Sequence, residues 1–246
     1  MAKTYHEYTT DYDLWHPRLA HVNSKLVLLS KPEIKHTAKT HQCDDCTRGK
    51  IHKFGHHGKR PNQAEMTWLS GEYFTCDLFG PLLRSCSGAL YAAFYIDLKS
   101  RFVYAKALKL KTDHYQAFQD VIADAKARSG RPMRYFKTDG DGTFSGAENL
   151  DICRKHAIRH VQSAPGDSSS NDVAERTIRT FAELMRTNLL HANTPPTFWV
   201  EAMGYVEYVW NKIPVMPNES GSPTYLSRMR WICNPQCPQR RHPHMP

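Results

Sequence analysis

A long amphipathic stretch from Asn171 to about His191 constrains the fold more than any other feature of the sequence. On a helical wheel of about 100° per residue its apolar side chains fall on one broad arc, and they are Ala174, Ile178, Phe181, Leu184 and Met185. Glu175 lies at the border of this arc, with Arg179 and Arg186 along the same line. A solvated Glu–Arg pair one turn apart often has this pattern. The pattern also places a carboxylate beside a buried face.

Two aspartates upstream of this helix each end a predicted strand. Asp77 follows the apolar run Tyr73–Cys76, and Asp139 follows the run Met133–Thr138. There are 61 residues between the two aspartates and 35 between Asp139 and Glu175. Mg²⁺ prefers a few carboxylate oxygens together with substrate phosphates, and two such ions can clamp both reacting oxygens of a phosphodiester. Three carboxylates on separate elements therefore favour metal-dependent chemistry on nucleic acid.

The sequence around these carboxylates resembles the acidic motifs of retroviral-type integrases, and most closely the integrase of copia-type LTR retrotransposons. The three matching segments are Cys76–Pro81, Thr138–Phe144 and Asn171–Arg176. The family spacing of 35 is met at Asp139 and not at Asp141, which would give 33. The resemblance covers residues 14–226. It implies that Asp77, Asp139 and Glu175 are the catalytic residues and hold Mg²⁺ or Mn²⁺.

The same resemblance implies an activity and partners. The chain would process the 3′ ends of element DNA and transfer those strands into target DNA, as a polynucleotidyl transferase. It would act as a homo-oligomer on element ends and target DNA, in the nucleus, after cytoplasmic synthesis within a larger polyprotein. The implied fold is α/β: a ribonuclease-H-like core with a mixed five-stranded sheet flanked by helices, preceded by a small, mostly helical zinc-binding domain.

Hydrophobic periodicity within residues 66–226 independently predicts an α/β domain, because strands and helices alternate after an initial group of strands. The strand-like runs and helices, in order, are 72–78, 90–98, 102–108, 112–129, 133–138, 150–156, 158–162, 171–191 and 196–212. No run of about 18 apolar residues occurs, so no membrane contact is expected. Seven cysteines without a preceding secretory signal favour reduced or metal-bound thiols.

A metal-binding pattern lies near the N-terminus. His16 and His21 have four residues between them, and Cys43 and Cys46 have two. Two imidazoles and two thiolates are a common tetrahedral Zn²⁺ set without an open position, so the predicted role is structural. A Cys-x-x-Cys alone would be only suggestive, and the upstream histidine pair strengthens the prediction. The segment also resembles the His-His-Cys-Cys region that precedes integrase cores.

Basic residues are concentrated outside the predicted core. The net charge is +4 over residues 1–65, +1 over residues 66–226 and +4 over residues 227–246. Basic flanks suit a polyanionic partner. Residues 47–65 form a basic linker that either contacts phosphates or is a solvated tether, and its candidate phosphate contacts are Lys50, Lys53, Lys59 and Arg60.

The resemblance adds nucleic-acid contacts at Arg179, Arg186 and Asn171. The resemblance and the composition together predict five parts of the chain. They are a flexible N-terminus (1–13), a zinc-binding domain (14–46), the basic linker (47–65), the catalytic core (66–226) and an irregular basic tail (227–246). The apolar rhythm is lost near Arg228, as it would be in a truncated or frame-shifted element copy.

Two departures from the integrase pattern leave an alternative open. Gly140 stands where asparagine usually follows the second aspartate, and Asp172 stands where glycine usually precedes the third motif. Asp172 adds negative charge near the predicted metal ligands and removes glycine's flexibility. The alternative is a catalytically inactive or domesticated nucleic-acid-binding remnant. A ribonuclease of the same fold is disfavoured by the zinc pattern and by the motif around Glu175.

Overall fold

A five-stranded sheet forms the centre of the computed structural model, which describes residues 11–34, 43–50, 68–139, 144, 146–162 and 172–213. The strands are β1 (Tyr73–Phe79), β2 (Tyr91–Asp97), β3 (Val103–Leu108), β4 (Tyr135–Thr138) and β5 (Arg159–Gln162). Their spatial order is β3-β2-β1-β4-β5. β1, β2 and β3 pair antiparallel, whereas β4 pairs parallel with β1 and with β5. The predicted mixed sheet is confirmed.

Seven α-helices are described around this sheet. They are α1 (Asp11–Arg18), α2 (Ser24–Ser30), α3 (Asp44–Gly49), α4 (His114–Ser129), α5 (Ala147–Lys155), α6 (Asp172–His191) and α7 (Trp199–Lys212). Single 3₁₀ turns at Lys111–Asp113 and Pro196–Phe198 precede α4 and α7. α4 ends at Gly130, whose left-handed φ of 68° suits glycine at a helix end.

Helices cover both faces of the sheet. Alternate residues of the strands point to opposite faces, so β1, β2 and β3 contribute side chains to hydrophobic clusters on both faces. The cluster on one face includes Phe74 of β1 together with residues of α4 and α5. The cluster on the other face includes Phe94 of β2 together with residues of α6 and α7.

The outer edge of β3 is protected by a side chain from α7. Asn211 is 3% exposed. Its Oδ1 accepts a hydrogen bond from the Val103 N–H at 3.0 Å, and its Nδ2 donates to the Val103 carbonyl at 2.7 Å. The side-chain amide therefore makes the two hydrogen bonds that a neighbouring strand would make with Val103, and it fixes α7 along the edge of the sheet.

The N-terminal helices belong to the same hydrophobic cluster as α6 and α7. Tyr12, Val22 and Val27 are buried members of it. α1 begins at Asp11, within the segment that the sequence predicted to be flexible. The reason is Tyr12, which is 4% exposed and stacks on His16 with ring centroids 5.6 Å apart.

Candidate functional site

Strand pairing places Asp77 and Asp139 side by side. β1 and β4 are adjacent and parallel, with Thr75 opposite Lys137. Carried two residues further, this register sets Asp77 opposite Asp139. Neighbouring strands lie about 4.8 Å apart, so two carboxylates that are 61 residues apart in sequence begin from neighbouring backbone positions.

Asp77 lies on the sheet face that α6 covers, and continuation of the register beyond the end of β4 assigns Asp139 to the same face. Cys76 belongs to the cluster on the α4 face, so Asp77 points to the opposite face. Asp77 is also paired with Phe94 of β2, and Phe94 contacts Phe181 of α6 with ring centroids 5.2 Å apart. Asp139 has the same parity as Asp77 in the parallel register. The helix that carries Glu175 therefore crosses the face on which both aspartates lie.

Glu175 lies in the first turns of α6, six residues before Phe181, or about 9 Å along the helix axis. Its side chain is exposed, whereas the preceding Ala174 is fully buried. Among the described residues, the sets of three or more ligand-type groups within 4.8 Å of one another do not include the three carboxylates. Glu175 is thus on the same side of the sheet as the aspartates, without direct contact among all three.

The electrostatic surroundings link the two aspartates. Burial raises the pKa of the Cys76 thiol well above its ordinary value, and the charges of Asp77 and Asp139 raise it further. The Oδ1 atom of Asp139 is shielded from solvent. Thr138, just before it, is held by a 2.9 Å hydrogen bond to Nε2 of His160. Two carboxylates facing the same way from adjacent strands fit the oxygen-rich surroundings that a hard divalent cation requires.

A second candidate site lies at the N-terminal helices, where His16, His21, Cys43 and Cys46 come together with all ligand atoms within 4.8 Å. Nε2 of His16 is 3.1 Å from Sγ of Cys46. Nδ1 of His21 is 3.5 Å from Sγ of Cys43 and 3.7 Å from Sγ of Cys46. Tetrahedral zinc with ordinary bond lengths would set such atoms about 3.4–3.8 Å apart. The four predicted ligands therefore fit a zinc ion.

Cys43 and His21 are held in the forms that bind zinc. Hydrogen bonds from Cys46 and from both histidines lower the pKa of the Cys43 thiol, and thiolate is the form that binds zinc. Burial lowers the pKa of His21, which keeps its imidazole neutral as a ligand must be. The hydrogen bond to Cys43 and burial raise the pKa of the Cys46 thiol, and the charge of Lys50 opposes this rise.

The candidate nucleic-acid residues are placed only in part. Arg179 is exposed one turn after Glu175. Arg186 lies about 16 Å further along α6 than Glu175, and its Nε donates to the Gly49 carbonyl at 3.2 Å. Lys50 lies beside the zinc-type set. The remaining candidates, Asn171, Lys53, Lys59 and Arg60, lie outside the described residues.

Two residues next to the zinc-type set were missed by sequence reasoning. Asp45 stands between the two cysteines, and His191 is the last residue of α6; its Nδ1 is 3.0 Å from Oδ2 of Asp45. The two aspartates between the cysteines, Asp44 and Asp45, were a weak indication that a carboxylate lies near the metal ligands. Nothing in the sequence connects His191 with a segment about 146 residues away.

Comparison with known proteins identifies relatives of this chain. The chain is 33% identical over 210 residues to the retrovirus-related Pol polyprotein of transposon TNT 1-94 from Nicotiana tabacum, a match that spans 83% of this chain and 16% of that polyprotein. It is 26% identical over 201 residues to the Pol polyprotein of transposon RE2 from Arabidopsis thaliana, across 82% of this chain and 13% of that one. The chain thus spans about a sixth or less of the relatives it matches. Its homologues are retrotransposon Pol polyproteins.

Solved structures show the fold. A chain of the simian T-cell lymphotropic virus intasome superposes with a TM-score of 0.51 at 19% identity, covering 73% of this chain and 62% of that one. The predicted ribonuclease-H-like fold, with its mixed five-stranded sheet flanked by helices, is confirmed. No protein-family description matches the chain. Within the described ranges, no helix is both long enough and apolar enough to cross a membrane.

Proposed function

We propose that this chain is the integrase segment of a copia-type retrotransposon polyprotein and that it joins element DNA to target DNA. The observation that carries the proposal is the shared sheet face of Asp77, Asp139 and the helix of Glu175, in a chain whose homologues are retrotransposon Pol polyproteins. The reaction is substitution at phosphorus in two steps. Water first attacks a phosphodiester near the element's 3′ end, and the 3′-oxygen of the element strand leaves as a free hydroxyl. That 3′-hydroxyl then attacks a phosphodiester of target DNA, and the 3′-oxygen of the target strand leaves.

The residues have distinct roles in this proposal. Asp77 and Asp139 hold Mg²⁺ or Mn²⁺ from the sheet, and Glu175 completes the ligand set from α6. A divalent cation held there would supply positive charge that lowers the pKa of the attacking water or 3′-hydroxyl and stabilises the departing oxygen. Arg179, exposed one turn from Glu175, positions a DNA phosphate through charge-assisted hydrogen bonds.

The N-terminal set supplies structure rather than chemistry. The ligands of Zn²⁺ are His16, His21, Cys43 and Cys46. The segment of α1, α2 and α3 is too short to form a large hydrophobic core of its own, so the metal supplies part of its folding free energy. DNA is bound partly by the basic segment that follows α3. As part of a polyprotein the chain is made in the cytoplasm, and it functions as a homo-oligomer in the nucleus.

The test is strand transfer by the purified full chain. A labelled blunt duplex with element-end sequence is incubated with a plasmid and Mg²⁺ or Mn²⁺, and joined product is measured. Glu175→Gln removes one charge at constant shape and should abolish joining while DNA binding survives. Glu201→Gln is the matched control, because Glu201 is likewise an exposed glutamate in the first turn of a helix.

Spacing supplies a second control. Asp141→Asn should keep activity, because Asp141 is acidic but two residues off the spacing of 35. Equal loss of joining in Glu175→Gln and Glu201→Gln would contradict the proposed role of Glu175. Metal-independent DNA binding without any joining by the unaltered chain would favour the inactive-remnant alternative that Gly140 and Asp172 suggest.

A further inference from the structure

A second group of ligand-type side chains lies against the zinc-type set. It consists of His21, Asp45 and His191, whose ligand atoms also lie within 4.8 Å of one another. Asp45 is 5% exposed and is paired with His191. The rings of His21 and His191 meet edge to face with centroids 4.8 Å apart. His21 therefore belongs to both groups.

The two ring nitrogens of His21 have different surroundings. Nδ1 faces the thiols of Cys43 and Cys46, whereas Nε2 is buried and makes no hydrogen bond to the described residues. A metal-bound histidine usually gives its second ring N–H to a carboxylate or carbonyl, and this contact fixes the ring. The buried carboxylate in the group of His21 is Asp45.

His191 connects this carboxylate to the catalytic core. It ends α6, the helix that carries Glu175 near its start, sixteen residues before His191. Other contacts join the same half of α6 to the N-terminal segment. Gly49 lies so close that an added Cβ would be 2.9 Å from the backbone of Thr187. Nδ2 of Asn188 is 3.4 Å from the Ala20 carbonyl.

We propose that Asp45 and His191 are positioning residues for the zinc site and that they couple zinc binding to the C-terminal half of α6. Asp45 orients the His21 imidazole, and His191 holds Asp45 in place. Zinc binding in the N-terminal segment then stabilises the end of the helix that carries Glu175 in the same chain. The inference rests on the proposed zinc site and is independent of strand transfer.

The first experiment measures zinc affinity of the full chain by competition with a chromophoric chelator. Asp45→Ala and His191→Ala should each weaken zinc binding about 10- to 100-fold, as loss of an outer partner of a ligand does. Asp44→Ala is the matched control: it removes the same charge between the same cysteines, but Asp44 is exposed. Asp45→Asn keeps an oxygen acceptor and should restore most of the affinity.

A double substitution separates positioning from a general effect of charge or folding. If the two residues act as one unit, Asp45→Ala combined with His191→Ala should bind zinc about as weakly as either single variant. Multiplied effects in the double variant, or an Asp45→Ala affinity equal to that of Asp44→Ala, would overturn the proposal. The absorption spectrum of bound Co²⁺ should remain that of a tetrahedral two-thiolate site in every variant.

The second experiment measures hydrogen exchange of residues 183–191 with and without zinc. Zinc should slow exchange there about tenfold or more in the unaltered chain, and this effect should disappear in His191→Ala at saturating zinc. Unchanged zinc protection in that variant would refute the coupling. One zinc per chain is expected by elemental analysis. Two would show that His21, Asp45 and His191 serve a metal of their own, and none would overturn the zinc site itself.

Discussion

Replacing Gly49 by alanine should destabilise the protein, whereas the same replacement at Gly204 should stabilise it. Both glycines are helical, at the end of α3 and within α7. A Cβ on Gly49 would lie 2.3 Å from Oγ1 of Thr187 and 2.9 Å from its backbone N and Cα. A Cβ on Gly204 would meet nothing within 4 Å. Comparing the two substitutions therefore separates the effect of a close helix–helix contact, present only at Gly49, from the effect of helix propensity, present at both positions.

The magnitudes follow from these contacts. Alanine in place of an exposed helical glycine gains roughly 0.5–1 kcal/mol, mostly by restricting the unfolded chain. Gly204→Ala should therefore raise the melting temperature by about 2–4 °C for each kcal/mol gained. At Gly49 the clash involves backbone that a rotamer change cannot move, and overpacking costs about 1–3 kcal/mol. Gly49→Ala should lower stability by about 1–2 kcal/mol after the propensity gain.

Urea unfolding of the zinc-loaded full chain, followed by circular dichroism, measures both variants. Thr187→Ala added to Gly49→Ala should restore only part of the loss, because the backbone atoms at 2.9 Å remain. If Gly49→Ala stabilises as much as Gly204→Ala does, α3 does not lie against α6 as described, and the proposed coupling through His191 loses its structural basis.

Three further predictions concern other positions. Asn211→Ala leaves the buried N–H and carbonyl of Val103 unpaired and should cost about 2–4 kcal/mol of unfolding free energy, measured by denaturant titration; an effect below 1 kcal/mol would mean that water replaces the amide. Burial raises the pKa of Glu207 from 4.5 to about 7, against an opposing effect of Lys106. Because the folded state then holds this proton more tightly than the unfolded state, Glu207 favours folding at low pH and this contribution is lost as pH rises from about 4.5 to 7. Glu207→Gln should remove that fall, at most about 3 kcal/mol, in unfolding curves taken from pH 5 to 8, and an unchanged pH profile would refute the shift. Cys43→Ser should release zinc, seen by elemental analysis, and retention of stoichiometric zinc would contradict the ligand assignment.

Much of the fold could be predicted from sequence because its signals are local. The strand runs, the helix predicted over 112–129 and the apolar arc of α6 follow from residue type and hydrophobic period. The predicted start of α4 at residue 112 falls in the 3₁₀ turn Lys111–Asp113, a tighter helix that often precedes an α-helix and has similar sequence signals. Motif spacing predicted the four zinc-type ligands, and the structure brings them together.

Contacts between distant segments could not be predicted in this way. Asp45 pairs with His191, and Gly49 touches Thr187, yet no local period or motif relates either pair. Tyr12, at the end of the segment 1–13 that was predicted to be flexible, is likewise fixed by a tertiary contact that no local pattern indicates. The catalytic roles of Asp77, Asp139 and Glu175 remain predictions. Arg186, assigned to DNA from its helical position, contacts the Gly49 carbonyl, and its phosphate role also remains a prediction.

The hydrophobic cluster that joins the N-terminal helices to α6 and α7 has a consequence for any shortened form of the chain. A fragment beginning near residue 66 would lose Tyr12, Val22 and Val27 from that cluster. Their partners on α6 and α7 would then face water as a contiguous apolar patch, and such patches promote self-association. Dimers or aggregates of the isolated core would then result from the loss of the N-terminal helices and not from the native assembly. The oligomeric state should therefore be measured on the intact, zinc-loaded chain.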